Sequence, residues 1–316
     1  MADRASALTL VPCRCCLCPS AEAVPIGTGE DFEYRTSPDY FLAVQCASCK
    51  LVYLSRRPDV SELDRIYPST YHAYDFTPEQ FGFVFSIRRR LEARRLLAAC
   101  KGLASNARIL DVGCGDGFHL GLLRDFGETT WSLEGVDASK RAVEAAARNN
   151  IRVHLGLLND VPLREASYDM VLLIATIEHV DDPPALLARV RDLLKPGGRV
   201  LIVTDNTASF DFPLFRGRHW GGYHFPRHWY LFNPENLRLL ARQSEFQVQS
   251  LDTLVSPVNW VYSVRNLLVD FKAPSWLVEH FSLKSTLSLG AFPVLDNVFR
   301  AAGRGALLRA QLRKPS

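Results

Sequence analysis

Arg108-Ile109-Leu110-Asp111-Val112-Gly113-Cys114-Gly115-Asp116-Gly117 reads as a short apolar strand running into a glycine turn. Phe118, Leu120, Leu122 and Leu123 then continue the chain with helical spacing. Strand, glycine turn and helix open a doubly wound α/β domain. The glycines allow tight backbone dihedrals and close approach of a ligand. Their spacing is G-x-G-x-G, not the G-x-G-x-x-G of dinucleotide binders. No Gly-Lys-Ser or Gly-Lys-Thr follows, so the turn is not a phosphate-binding P-loop. Asp111, the acidic residue preceding the turn, suits a cationic ligand better than a pyrophosphate.

Downstream, Leu133 to Val136 forms a second strand that ends in Asp137. A carboxylate at that strand tip can accept both hydroxyls of a ribose. Tyr168 to Ile174 reads as a buried strand, followed by Ile177-Glu178-His179-Val180 and a helix through Leu186, Leu187, Val190 and Leu193. Lys195-Pro196-Gly197-Gly198 then leads into the strand Val200 to Val203. This alternation predicts a parallel, doubly wound sheet.

Upstream, six of the eight cysteines lie in the first 49 residues, which marks a local site, not a chain-wide framework. Cys15/Cys18 and Cys46/Cys49 are two C-x2-C pairs that can converge on one tetrahedral ion, the pattern of a zinc ribbon. Cys13/Cys16 is a second C-x2-C pair and leaves the first knuckle open, although the turn after Cys18 favours Cys15/Cys18. Four thiolates imply a closed structural site. The start, Met1 to Cys15, makes a poor signal peptide, so disulfides are not expected and a cytoplasmic setting is. The expected units are a zinc ribbon at 1–60, a linker and basic helix at 61–104, the α/β core at 105–256 and a C-terminal helical cap with a final strand at 257–316. The linker holds Tyr67, Tyr71 and Tyr74; the helix carries Arg88, Arg89, Arg90, Arg94 and Arg95.

A substrate lid is expected at 207–232, where Arg216 to Phe232 gathers three histidines, three arginines and many aromatics. Aromatic faces suit sugar rings, and arginines suit phosphate or carboxylate. Asn233 and Pro234 then read as the cap and first residue of a helix. Candidate bases are His179, His224 and His228. For His179, proton transfer and a helix-capping role both stand open. No carboxylate follows the lid histidines at ligand spacing, so they read as non-ligands for metal. Residues 258–316 carry eight basic against three acidic residues, together with Trp260, Trp276 and several phenylalanines. That balance suits a packed helical cap and also peripheral contact with an anionic membrane surface.

With Gly135-Val136-Asp137 and Leu194 to Gly198, the glycine motif resembles a class I S-adenosylmethionine-dependent methyltransferase over about residues 105–250. The ribbon resembles that of a bacterial subgroup implicated in methylating sugars, glycolipids and other small molecules of surface polysaccharide pathways. The resemblance implies a mostly parallel seven-stranded sheet, the Rossmann-like methyltransferase fold, and S-adenosylmethionine as cofactor. It places the Gly113, Gly115 and Gly117 loop on the methionine half, Asp111 near the amino group and Asp137 on the ribose, with Ile174 completing the set. Family members often carry an acidic residue directly after the glycine before the fourth strand. Here Gly156 is followed by Leu157, Leu158, Asn159 and Asp160, which leaves Asp160 or backbone groups to meet adenine. The expected acceptor is a small-molecule hydroxyl. An RNA methyltransferase and a non-catalytic cofactor-binding scaffold are the alternatives. A net charge of +3 argues against nucleic acid, and no DNA partner is expected.

Overall fold

The computed structural model describes residues 6–71, 78–282 and 285–316. Tyr74 and Lys284 lie outside them. The N-terminal region holds β1 (Leu10–Pro12), β2 (Ala23–Gly29), β3 (Phe41–Cys46), β4 (Val52–Leu54) and β5 (Arg56–Pro58). A short α1 (Leu63–Ile66) precedes the long α2 (Pro78–Cys100). The α/β succession follows: β6 (Arg108–Val112), α3 (Phe118–Phe126), β7 (Ser132–Asp137), α4 (Lys140–Arg148), β8 (Val153–Leu155), β9 (Tyr168–Ile174), α5 (Pro183–Leu193) and β10 (Leu194–Asp205). The lid contains α6 (Asp211–Phe215) and β11 (Tyr230–Leu231). The chain closes with α7 (Pro234–Gln243), β12 (Gln247–Leu254), α8 (Pro257–Asp270), α9 (Ser275–His280), α10 (Thr286–Ala301) and β13 (Leu307–Arg313).

The central sheet has seven strands in the order β12-β13-β10-β9-β6-β7-β8. Pairing is parallel from β10 to β8, and β13 runs antiparallel to both β10 and β12. This is the mostly parallel, doubly wound sheet that the strand–helix alternation and the motif resemblance predict. Side chains alternate across it with the period of two that a strand imposes. Ile109, Met170, Leu172 and Leu201 face Ala93, Leu96 and Ala99 of α2 on one side. Leu110, Val112, Val171, Leu173, Val200 and Ile202 point to the other side.

That second face does not end at the sheet. Phe41, Ala43, Val52 and Leu54 of the N-terminal strands and Trp220, Tyr223, Phe225 and Trp229 of the lid join the same buried cluster. The head sheet is ordered β11-β4-β3-β2, so a lid strand forms its edge. Tyr230 pairs with Tyr53 and Leu231 with Val52. Lid and head are thus built on one hydrogen-bonded ladder. Asn233 caps α7 by accepting from the Asn236 N–H at 2.8 Å, with Pro234 at the first helical position. Among the described residues no helix is long and apolar enough to cross a membrane.

Candidate active site and cysteine centre

The glycine turn adopts left-handed backbone at Gly113 (φ 70°), Gly115 (φ 56°) and Gly117 (φ 78°). A Cβ at Gly113 would come within 2.9 Å of the Thr176 side chain. Thr176 in turn donates to the Val112 carbonyl at 2.7 Å, closing the turn from below. Cys114 is buried against Gly135 and fills the space beneath the loop. Asp137 stands at the end of β7. Its Oδ2 accepts from the Gly115 N–H at 2.9 Å and its Oδ1 from the Ser139 N–H at 2.8 Å. Both oxygens keep lone pairs for a diol. Ile174 is the half-buried last residue of β9, and Asp160 is exposed in the turn after β8.

Asp111 lies beneath the loop, only 1% exposed, and its Oδ2 has no hydrogen-bond partner. Burial, then the charges of Asp137 and Asp116, push its carboxyl well above the usual range. His119 Nδ1 is 3.9 Å away, but burial lowers that imidazole to about 4, so it brings no charge at neutral pH. The crevice therefore gathers three carboxyl groups, Asp111, Asp116 and Asp137, with the Arg88 guanidinium acting on Asp116, and this excess of acid suits a cationic ligand.

A second cluster occupies the carboxyl ends of β9 and β10, where an open α/β sheet binds its ligands. Glu178 and His179 follow β9, Asp205 ends β10, and His228 enters from the lid. The His179 and His228 rings are 4.6 Å apart, and His224 is 5.0 Å from His228. His228 Nδ1–H donates to the Gly222 carbonyl at 2.8 Å, with Asp205 Oδ2 3.3 Å from the same nitrogen. His179 Nδ1 is 3.1 Å from the Arg227 carbonyl and 2.9 Å from the Tyr67 hydroxyl. A carbonyl only accepts, so the contact with Arg227 requires Nδ1–H. In that tautomer both imidazoles keep an Nε2 lone pair. Burial, then the neighbouring His179 and His224, drive His228 well below its ordinary value and keep it neutral. Burial and Asp205 push Glu178 up to about 8; burial pushes Asp205 up to about 7.

Glu178 and His179 do not cap the following helix. Asp182 does so, accepting from the Ala185 N–H at 2.9 Å. The lid is fastened instead to Glu178 through its backbone, whose carbonyl accepts from the Trp229 N–H at 2.7 Å. His224 is drawn toward the head, with Nδ1 2.8 Å from Glu33, and His219 packs outward on Asp270. The reading that no carboxylate accompanies the lid histidines is corrected here. Asp205 and Glu33 come from distant segments, which sequence spacing along the lid cannot show. Tyr67, Asp205 and His119 are likewise site neighbours that sequence reasoning missed; strand-end position was the one signal available, and only for Asp205.

In the head, Cys15, Cys18, Cys46 and Cys49 converge. Sulfurs about 2.3 Å from one zinc would stand about 3.8 Å apart at the corners of a tetrahedron. The observed separations are 3.6 Å for Cys15–Cys18, 3.4 Å for Cys15–Cys49 and 3.5 Å for Cys18–Cys46, which fit that figure. Cys16 stays outside the group, and the Cys13 thiol donates to the Tyr230 hydroxyl at 3.2 Å.

The sheet order, glycine turn and strand-tip carboxylate define a class I S-adenosylmethionine-dependent methyltransferase domain. The family model described as a methyltransferase domain matches residues 85–251, and the chain belongs to that family. It is 33% identical over 132 residues to the ubiquinone biosynthesis O-methyltransferase of Rhodopseudomonas palustris, spanning 37% of this chain and 51% of that protein. It is 36% identical over 98 residues to an uncharacterized 37.1 kDa protein in a Streptomyces fradiae transposon, covering 29% of this chain and 28% of the relative. The chain thus spans about half, or less, of the length of these curated relatives. In fold it is similar to Haemonchus contortus phosphoethanolamine N-methyltransferase 2, with a TM-score of 0.51 at 19% identity, over 93% of this chain and 69% of that one. The anionic crevice fits this class's cofactor. The unpartnered Asp111 oxygen suits an amino group, and Asp137 suits the ribose diol.

Proposed function

We propose that the protein transfers the methyl group of S-adenosylmethionine to a hydroxyl of a small molecule, a sugar or lipid-linked saccharide. The observation that carries this reading is the buried Glu178–His179–His228–Asp205 cluster at the same end of the sheet as the glycine turn. When bound, the cofactor supplies an electrophilic methyl group, so the chain has to position an acceptor and receive its proton. Asp137 and Asp111 hold the ribose and amino group. His179 Nε2 is the atom nominated to take the hydroxyl proton, since its Nδ1–H is committed to the Arg227 carbonyl. The buried lid aromatics exclude water from the cluster. We assign zinc to the four convergent cysteines, where its part is structural.

Calorimetry with S-adenosylmethionine, followed by turnover on a panel of hydroxylated sugars and lipid-linked sugars, tests the proposal. Binding with methyl transfer to oxygen is the expected result. Absence of cofactor binding by folded, zinc-loaded protein would overturn it.

A further inference from the structure

We propose a second divalent-metal site, separate from the cysteine centre, formed by Glu178, His179 and His228. One carboxylate oxygen and one nitrogen from each histidine lie within 4.8 Å of one another. Nitrogen and oxygen ligands about 2.1 Å from one ion stand about 3.4 Å apart, so binding would draw the three side chains together. Glu178 is 1% exposed, and its Oε2 has no hydrogen-bond partner. A buried carboxylate oxygen left unsatisfied is costly, and a cation at this point would satisfy it.

The surroundings are those of a ligand shell. Metal-binding imidazoles donate their other N–H to a carbonyl or carboxylate, which fixes the tautomer and the ring orientation. Both histidines do so here. His228 Nδ1–H meets the Gly222 carbonyl with Asp205 behind it, and His179 Nδ1–H meets the Arg227 carbonyl. Asp205 is itself held by the Asn259 amide at 2.6 Å. The donor set arises only in three dimensions. Glu178 and His179 lie in the turn after β9, and His228 lies in the lid two residues before β11.

Two imidazoles and one carboxylate favour Zn²⁺, Co²⁺, Fe²⁺ or Mn²⁺ over Ca²⁺. Three protein ligands leave an open position, unlike the four-thiolate centre. An acceptor hydroxyl would enter there as the next ligand. The inference rests on the methyl-transfer reading and deepens it. With the His179 lone pair on the ion, the acceptor hydroxyl bound at the open position has its pKa lowered and gives its proton to solvent before the methyl group is transferred, so the acceptor is an oxygen compound able to bind metal.

The test uses the full chain with the cysteine centre first loaded with Zn²⁺, then titrated with Co²⁺ alone. We expect one equivalent of Co²⁺ to give visible d–d bands without thiolate charge-transfer absorption. Glu178→Gln and His228→Gln should each weaken binding by at least about 100-fold, and Asp205→Asn by about 10-fold or more. Wild-type protein carrying ¹⁵N-labelled histidine provides a check independent of variant folding. Zn²⁺ beyond the first equivalent should shift the Nε2 signals of two histidines together. No d–d bands in wild type, bands unchanged in both variants, or no histidine shift would each overturn the site. S-adenosylmethionine affinity, measured on the same sample, reports separately on methyl transfer. Its retention without Co²⁺ binding rejects this site alone, and its loss rejects the methyl-transfer reading.

Discussion

At the scale of single residues, Asp137 does two jobs with one carboxylate. It pins the glycine loop through the Gly115 N–H and offers lone pairs to a ribose. Two charge-assisted bonds together supply roughly 3 kcal/mol, or about 100-fold in affinity. Asp137→Ala should therefore weaken S-adenosylmethionine binding by about that factor in calorimetry, with little change in zinc content. Asp296, outside the histidine cluster, provides a pH test. Its Oδ2 accepts from the Ser256 N–H at 2.8 Å and the Ala306 N–H at 3.4 Å. Burial, with Asp211 adding to it, raises its pKa from 3.8 to about 6. Between those values the native state holds a proton that the unfolded state has lost, so stability falls as pH rises through the window. Asparagine keeps an acceptor and cannot ionise. Asp296→Asn should stabilise the protein by on the order of 2 kcal/mol above pH 7 and by little below pH 4. Urea titrations across pH would show this, and an equal effect at both ends would contradict it.

At the scale of elements, the lid is where sequence and structure part. Features formed by neighbours in sequence were legible: the glycine turn, the carboxylate ending β7, the cap of α7 and the strand–helix alternation. Features that need distant segments were not. β11 has two residues and little periodicity, so its pairing with β4 leaves no trace in sequence. Arg227 read as a lid cation for an anionic substrate. The structure buries it completely, with Nη2 3.0 Å and Nη1 3.2 Å from the two Asp31 oxygens and Nε donating to the Ile66 carbonyl at 2.7 Å. Its partner lies 196 residues away, beyond the reach of any spacing argument. Removing one member of such a pair strands the other charge in the interior, at about 3–5 kcal/mol. Asp31→Ala should lower the melting temperature sharply. Asp31→Ala with Arg227→Met should recover much of the loss, because the second change removes the stranded charge. A double-mutant cycle followed by thermal unfolding decides it.

At the scale of the whole molecule, the N-terminal region shares its interior with the domain it precedes. One apolar cluster runs from Phe41 and Val52 through Trp229 to Leu110 and Leu173. Polar ties reinforce it: the Asn236 amide donates to the Cys49 carbonyl at 2.6 Å, and the Gln243 amide to the Leu17 carbonyl at 2.9 Å. Both accepting carbonyls sit on the turns that carry the cysteines. Loss of the ion should loosen those turns, then β4 and β11, and so the lid segment that holds His228. The cofactor crevice has a different foundation, built on β6, β7 and α3, outside the head sheet. Zinc removal should therefore separate two functions. With a chelator, or with Cys46→Ser, S-adenosylmethionine affinity should stay within a few-fold of the intact protein. The His179 and His228 imidazole signals should broaden or shift, and turnover should fall by far more than cofactor affinity. Equal loss of cofactor affinity and turnover would mean that the head supports the domain as a whole. Loss of neither would mean that the shared core holds the lid without the ion.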